Sequence, residues 1–438
     1  YTKTTLRYDG EGNVIGYIVE ACFQWNKGTP ANDAVMGFDV QINVCSGGSR
    51  QSAPALFDKT GNAYQNTSLF GEIRLKGKGE NDQTPAYPYG LLYYIEEVEG
   101  RNLSVFKNPE VVDEPLANGK TIAGSGNATQ EQIDAAYRAI AEALKQLDDG
   151  SGMPNAEALP DLNGIPDMMK FNDGSDVVTA ADWAKRREEI MEYYQYYMYG
   201  YMPDKSQETV TYAIKDNIQN GEDKGGKILE ITVEANGKSA TFDVLFTLPD
   251  PATNPAPQDG YPYFIEYAGY KMNFWGMEWY TGPSSNQTFA ANRGYAGVAY
   301  DPTAVASDSD ARTGAFYELY PYGDDYKSQN GSLLGWAWGV GKIIDALEAG
   351  AATELNINPE YSLVGGVSRY GKGAAVAGAY EKRIKVVIPS CSGAGGLAIY
   401  RTNNSGKKYD LSMVGGAKEW VNDSANEPLS NLQGGESY

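Results

Sequence analysis

One short segment of this chain places a serine, an arginine and a lysine among closely spaced glycines. It reads Gly366-Val367-Ser368-Arg369-Tyr370-Gly371-Lys372-Gly373 and lies between a strand-like run and a helix of small residues. A turn from a strand into a helix exposes its side chain above the sheet, and the helix N-terminus offers backbone N–H groups to an oxyanion. The spacing is G-x-S-x-x-G and differs from the general G-x-S-x-G elbow. The segment predicts a serine nucleophile at Ser368.

The composition lacks the usual partner of such a serine. None of the 438 residues is histidine. A serine hydroxyl is a poor nucleophile near neutral pH, and enzymes that use one usually place an imidazole beside it as general base. Two interpretations follow: the chain is part of a longer enzyme, or it is a hydrolase-shaped protein that does not hydrolyse anything.

Charge and hydropathy exclude several classes of partner. The formal net charge of −21 argues against nucleic acids and anionic membranes, whose recognition needs basic patches. No apolar run reaches the length of a membrane span. We expect no metal or other cofactor for the catalytic part because it has no His or Cys cluster, although the N-terminal part could bind calcium through Asp and backbone oxygens.

The pattern along the chain predicts three regions. Residues 1–108 alternate apolar and polar side chains, as in 16–23 and 37–44, which predicts an all-β sandwich. Residues 109–152 form a linker with one helix, N-capped by Thr129. Residues 153–438 alternate strands and helices, which predicts an α/β-hydrolase with three αβα layers and a mainly parallel sheet. Predicted strands of that region are 228–233, 240–246, 263–267, 294–300, 361–364 and 385–388; helices start after Thr179 and at Leu333.

The cysteines and the first residue bear on the compartment. Cys22, Cys45 and Cys391 are too few for a disulfide framework; Cys22 and Cys45 could pair, and two free thiols are at least as good an interpretation. The chain opens at Tyr1 with no visible signal peptide, and we expect a processed or trimmed secreted protein.

The N-terminal region resembles a family 9 carbohydrate-binding module over 16–20, 23–25, 36–43 and 68–73. The resemblance implies a β-sandwich and binding of sugar. It covers only the later part of that module, so we expect the chain to begin within the domain. Leu69-Phe70 stands where a tryptophan is common, and we expect Trp25 to be a packing residue instead of a sugar platform.

From about Leu159 to Tyr438 the chain resembles the glucuronoyl esterases of carbohydrate esterase family 15. The motifs that carry the resemblance are 366–372, 377–383, 389–396, 183–190, 313–317, 336–339 and 344–348. The resemblance implies a secreted bacterial serine esterase that cleaves esters joining glucuronic acid on xylan to lignin alcohols. Its partners would be glucuronoxylan or lignin–carbohydrate esters.

Residue roles follow from that resemblance. Ser368 would be the nucleophile, Arg369 would help to stabilise the oxyanion, and Lys372 would hydrogen-bond sugar hydroxyls. Gln433 and Glu436 fall in the region that supplies further sugar contacts. Cys391 stands where some members carry the catalytic acid, and is expected to be a packing residue.

The missing histidine then determines what else we expect. The family's histidine lies near the end of the domain, so we expect it and the acid beyond Tyr438, in a C-terminal segment of the same protein. The alternative is a non-catalytic carbohydrate-binding or assembly protein that retains the hydrolase scaffold. An acetyl xylan esterase would keep the serine chemistry but would not explain Arg369 and Lys372 together.

Overall fold

The computed structural model describes six short strands between residues 2 and 74, and residues 88–154, 166–274, 277–309, 311–393 and 395–397. For residues 272–274 and 277–280 and for the six N-terminal strands, only the backbone is described. The chain divides into two compact units, one of Tyr1–Ile95 with Gly119–Tyr137 and one of Glu96–Asn118 with Arg138–Tyr438.

The N-terminal strands form antiparallel pairs, as the alternating pattern predicts. In β1 and β2, Thr2 pairs with Ala21, and the register shifts between Arg7 and Tyr8. β3 pairs with β6, and β4 with β5. Their bounds are β1 Thr2–Tyr8, β2 Val14–Ala21, β3 Val35–Phe38, β4 Val44–Ser46, β5 Ser49–Ser52 and β6 Gly71–Arg74. Cys22 and Trp25 lie outside the described residues.

Helical structure begins earlier than the sequence pattern predicts. Helix α1 spans Tyr89–Gly100, inside the region expected to be all strand. Its apolar residues Leu91, Ile95 and Val98 are buried at helical spacing, which is the signal that the alternation upstream obscured.

The linker was also predicted to hold one helix, and it holds two, α2 at Asp113–Gly124 and α3 at Gln130–Leu144. Helix α2 contains Pro115 in its first turn, where proline is tolerated, and Gly119 in its interior, whose low propensity is offset by burial of Leu116 and Ala123. The predicted N-cap of α3 is confirmed, since Thr129 Oγ1 accepts from the Gln132 N–H at 3.2 Å.

A seven-stranded sheet forms the centre of the second unit, in the order β15-β14-β10-β13-β9-β8-β7. Strands β10, β13, β14 and β15 pair in parallel, whereas β7, β8 and β9 join antiparallel, so the described sheet is mixed. The bounds are β7 Thr209–Gln219, β8 Glu222–Ala235, β9 Lys238–Thr247, β10 Tyr261–Tyr267, β13 Ala296–Tyr300, β14 Ile357–Val367 and β15 Val386–Ser390; a separate hairpin has β11 Lys271–Phe274 and β12 Met277–Tyr280.

Helices cover both faces of this sheet, which confirms the αβα layers. On β13, a Cβ at Gly297 would lie 2.8 Å from Gln287 of α5, while Tyr300 on the opposite face donates to the Trp336 carbonyl of α7 at 3.1 Å. The helices are α4 Ala180–Tyr194, α5 Ser285–Ala291, α6 Ala315–Leu319, α7 Ser332–Ala346, α8 Ala352–Leu355 and α9 Arg369–Tyr380. None of the helices among the described residues is both long and apolar enough to cross a membrane.

Charged residues of α7 and of the segment after α9 form a partly buried network, in which Asp345, Glu381 and Arg383 belong to two of the sequence motifs. Lys342 pairs with Glu208, whose side chain is 1% exposed, and with Asp345 at 2.5 Å. Asp345 in turn pairs with Arg383 at 2.7 Å, and Arg383 pairs with Glu381 at 2.6 Å. Burial alone would raise the pKa of Asp345, but Lys342 and Arg383 outweigh it and hold that pKa below its ordinary value. These motif residues therefore brace the fold.

Candidate active site

Ser368 occupies a strained turn between β14 and α9. Its backbone has φ 61° and ψ −123°, a region that residues with a Cβ rarely adopt. The residue is exposed at the end of its strand, and α9 begins at Arg369, the next residue. This conformation presents the hydroxyl above the sheet, as the sequence predicts for a nucleophile.

Two glycines make this turn possible because the chain folds closely on itself. A Cβ at Gly366 would lie 2.5 Å from the Tyr370 carbonyl oxygen, and one at Gly371 would overlap the carbonyl oxygen of Ser390. Gly371 is the point at which α9 meets the end of β15. This close contact explains why the second glycine of the pattern stands one position later than in the general G-x-S-x-G elbow.

The start of α9 provides an electropositive surface next to the serine. The first described bond of the helix runs from the Lys372 N–H to the Ser368 carbonyl at 3.0 Å. The N–H groups of the three preceding helical residues have no acceptor within the helix, as at any helix N-terminus. Such groups attract developing negative charge, so this end of α9 suits an oxyanion.

The Arg369 side chain is held by an aspartate that is distant in sequence. Its Nη1 lies 2.6 Å from Oδ2 of Asp308, and its guanidinium carbon is 5.7 Å from the centre of the Tyr370 ring. Asp308 was not singled out in the sequence, because it lies 61 residues away in a turn-like run without a motif. The arginine predicted to serve the oxyanion is thus fixed in orientation on the side facing the loop after β13.

The Lys372 side chain is buried and points to the backbone that follows β15. It is 8% exposed, and its ammonium group donates to the carbonyl oxygen of Ser392 in the loop after β15. Burial lowers the pKa of Lys372 below its ordinary value. The Ser392 hydroxyl accepts from the Leu397 N–H at 3.1 Å, and Tyr199 donates to the Gly395 carbonyl at 3.1 Å. The lysine predicted to bind sugar therefore anchors the backbone after β15 at Ser392.

The carboxyl ends of the parallel strands gather further groups at the same edge of the sheet. Asp301 follows β13, and its Oδ1 accepts from the Thr303 N–H at 2.9 Å. Cys391 follows β15 as an exposed free thiol with φ 49°. Burial of Tyr370, assisted by the carboxylates of Asp301 and Asp308, raises its pKa above the ordinary value.

A complete triad is not present among the described residues. Within them, no side chain hydrogen-bonds the Ser368 hydroxyl, and no group of three or more His, Cys, Asp or Glu residues could hold a metal ion. Gln433 and Glu436 lie outside the described residues, as does any acid or base beyond residue 397. The structure thus brings together Ser368, Arg369 and Lys372 on the first turn of α9 and adds Asp308 to them.

Comparison with known families agrees with both regions of the chain. The family model for fungal glucuronyl esterases matches residues 231–433, and the model for family 9 carbohydrate-binding-like domains matches residues 2–78. The first match includes the whole elbow segment and the strands that position it.

Individual relatives point the same way. A multidomain esterase of Ruminococcus flavefaciens is 41% identical over 286 residues, which cover 64% of this chain and 34% of that protein. A 4-O-methyl-glucuronoyl methylesterase of Schizophyllum commune is 30% identical over 275 residues, which cover 62% of this chain and 61% of that protein. The chain thus spans between about a third and about three fifths of these two relatives.

A solved structure gives the fold-level comparison. A carbohydrate esterase family 15 glucuronoyl esterase from Caldicellulosiruptor kristjansonii superposes with a TM-score of 0.50 and 39% identity, covering 60% of this chain and 68% of that one. Together with the elbow geometry, these matches establish that the chain belongs to the glucuronoyl esterases of carbohydrate esterase family 15, preceded by a region like the family 9 carbohydrate-binding modules.

Proposed function

We propose that the protein carrying this chain is a serine esterase that cleaves glucuronoyl esters joining glucuronoxylan to lignin alcohols. The observation that carries the proposal is the exposed Ser368 on its strained turn at the N-terminus of α9, with Arg369 as the next residue in the chain. We further propose that the protein is secreted by a bacterium and that the family 9-like region keeps the esterase near polysaccharide.

The chemistry follows from the geometry of the elbow. The Ser368 oxygen attacks the ester carbonyl, the alcohol leaves, and water hydrolyses the acyl-enzyme. The free N–H groups at the start of α9 and the Arg369 guanidinium would stabilise the negative charge on the carbonyl oxygen. In this proposal the imidazole that accepts the serine proton comes from residues outside these 438, because none of them is histidine.

Charge near the elbow suits a uronic acid ester in a strongly acidic protein. The ester is neutral, and the product is a carboxylate that Arg369 can hold by a charge-assisted hydrogen bond. Lys372 would reach a sugar hydroxyl while one of its N–H groups stays with the Ser392 carbonyl. The acid released from an acetyl ester is acetate, which has no sugar ring. It would therefore contact Arg369 but not Lys372.

The test is hydrolysis by the full-length protein of benzyl D-glucuronate, with acetylated xylan as the competing substrate. We expect turnover of the glucuronate ester, little release of acetate, and loss of activity of at least about 10³-fold in Ser368→Ala. Acetate release without glucuronate hydrolysis would identify an acetyl xylan esterase. No turnover of either ester, in protein that still unfolds cooperatively, would favour the non-catalytic scaffold.

A further inference from the structure

We propose that Asp308 is a positioning residue that sets the orientation of the Arg369 side chain, the neighbour of the nucleophile Ser368 in the chain; this rests on the proposed esterase function. The two side chains form an ion pair at 2.6 Å, with the carboxylate side chain 15% exposed and the arginine side chain 53% exposed. The aspartate is thus the embedded partner, and the long arginine side chain is the one that needs to be fixed.

The backbone next to Asp308 is held by several separate hydrogen bonds. The Ser307 N–H donates to the Thr313 carbonyl at 2.8 Å, and the Thr313 N–H donates to Ser307 Oγ at 3.1 Å, which closes the loop at its base. From α7, Ser332 Oγ donates to the Ser307 carbonyl at 2.8 Å, and Trp336 Nε1 donates to the Ala306 carbonyl at 2.7 Å. The backbone that leads into Asp308 is therefore anchored to α7.

The elbow is fixed to the same helix. A Cβ at Gly373, in the first turns of α9, would lie 3.0 Å from Trp336, and the Tyr370 and Trp336 rings make an edge contact at 5.7 Å. Asp308 and Ser368 thus share Trp336 as a common support. A guanidinium bonded to the first and attached beside the second is held in one place relative to the nucleophile.

Orientation and charge act in opposite directions at this pair. The carboxylate reduces the positive charge that an oxyanion would experience, but a free arginine would lose its fixed geometry, and preorganised donors contribute most of the electrostatic effect. Because the Arg369 side chain is about half exposed, solvent screens the charge reduction, and we expect orientation to dominate.

The first test is a double-mutant cycle on the full-length protein with benzyl D-glucuronate. We expect Asp308→Ala to lower kcat about tenfold with KM little changed, and Asp308→Asn to recover most of the loss because its amide oxygen accepts the same N–H. In an Arg369→Met background, Asp308→Ala should cause no further loss. Asp250→Ala, which removes an aspartate from a surface turn, is the matched control and should leave kcat unchanged.

An equal loss in both backgrounds would overturn the proposal, because Asp308 would then act independently of Arg369. If Asp308→Ala does not fold, Asp308→Glu replaces it; its displaced carboxylate should lower kcat only when Arg369 is present. Unchanged kcat in the folded single variants would likewise overturn it.

The second test does not depend on catalysis. Phenylglyoxal modification of Arg369, followed by mass spectrometry of its peptide, should be several-fold faster in Asp308→Ala than in the wild type, while the rate in Asp250→Ala stays at the wild-type value. Equal rates in all three would overturn the positioning role. A wild type that hydrolyses no ester but shows the expected rates would contradict the proposed function and leave the Asp308–Arg369 contact supported.

Discussion

The Ser368 N–H donates to the carbonyl oxygen of Ser390 at 3.0 Å. This bond extends the parallel pairing of β14 and β15, in which Val367 stands opposite Ser390, by one residue into the turn. It joins the nucleophile's backbone to the end of the neighbouring strand, directly before Cys391. The strain at Ser368 is therefore sustained by the ladder on one side and by α9 on the other.

Replacing Ser368 by glycine should separate function from stability. Because the φ of 61° is unfavourable for a residue with a Cβ, Ser368→Gly should raise the free energy of unfolding by about 1 kcal/mol while it abolishes ester hydrolysis. Ser368→Ala is the matched control, since it removes the hydroxyl but keeps the Cβ, and it should leave stability nearly unchanged. Urea unfolding of both variants gives the comparison; an equal effect of glycine and alanine would mean that the turn is unstrained.

Gly371→Ala should destabilise the elbow because the added methyl would overlap the backbone carbonyl of Ser390, which cannot rotate away as a side chain can. We expect a loss of about 2 kcal/mol in the free energy of unfolding, together with lower esterase activity. Ala379→Gly, near the other end of α9, tests helix propensity alone and should cost about 1 kcal/mol. A Gly371→Ala variant as stable as the wild type would show that β15 and α9 are not in close contact.

The buried charge network predicts sensitivity to acid. The pKa of Asp345 is held below its ordinary value of 3.8 by Lys342 and Arg383, so its stabilising contribution is present above about that pH and is lost as pH falls through the lowered pKa. Asp345→Asn should cost about 2 kcal/mol at pH 7, because it removes one charged partner from Lys342 and from Arg383, which keep Glu208 and Glu381.

Urea unfolding between pH 7 and pH 2 measures both effects. The difference between wild type and Asp345→Asn should shrink as pH falls below 4, the region in which the wild-type carboxylate becomes protonated. A constant difference over this range would contradict the role assigned to the pair. Asp250→Asn, in a surface turn, controls for carboxylates outside the network.

Lys372 predicts a pH dependence of the same sign in the alkaline range. Burial lowers the pKa of Lys372 from 10.5, because the charged ammonium is less well solvated in the folded protein. At neutral pH this desolvation destabilises the folded state. The destabilisation disappears as pH rises through the lowered pKa and the ammonium loses its proton. Wild type should therefore gain stability relative to Lys372→Met as the pH is raised towards 10.5. At pH 7 the two should differ by less than about 1 kcal/mol, because loss of the hydrogen bond to Ser392 offsets relief of the charge.

Kinetics of the full-length Lys372→Met variant test the second role of this residue. If the ammonium also binds sugar hydroxyls, KM for a glucuronate ester should rise about tenfold, the equivalent of one charge-assisted hydrogen bond. Lys382→Met, on the surface after α9, is the matched control and should leave KM unchanged. An unchanged KM in Lys372→Met would mean that the lysine does not bind sugar and only anchors the backbone at Ser392.

Much of the site could be predicted from local sequence. The glycines around Ser368 allow a tight turn and a close approach of the backbone, and this local pattern can be recognised without knowing the rest of the fold. The same holds for the N-caps at Thr129 and Thr179, whose side chains bond the backbone three residues on, at 3.2 and 3.1 Å. The helix predicted to start at Leu333 is confirmed as α7, Ser332–Ala346, and nearly every one of its residues is buried.

Other features depend on how distant segments meet. The antiparallel half of the sheet, the helix α1 and the burial of Lys372 were not evident, because strand order and side-chain environment are set by packing and not by the local pattern. Asp308 is the clearest case. The sequence determined that an arginine follows the nucleophile, and only the tertiary structure brought a carboxylate from the loop after β13 to that arginine, since contacts across 61 residues depend on the positions of β13, α7 and α9 together.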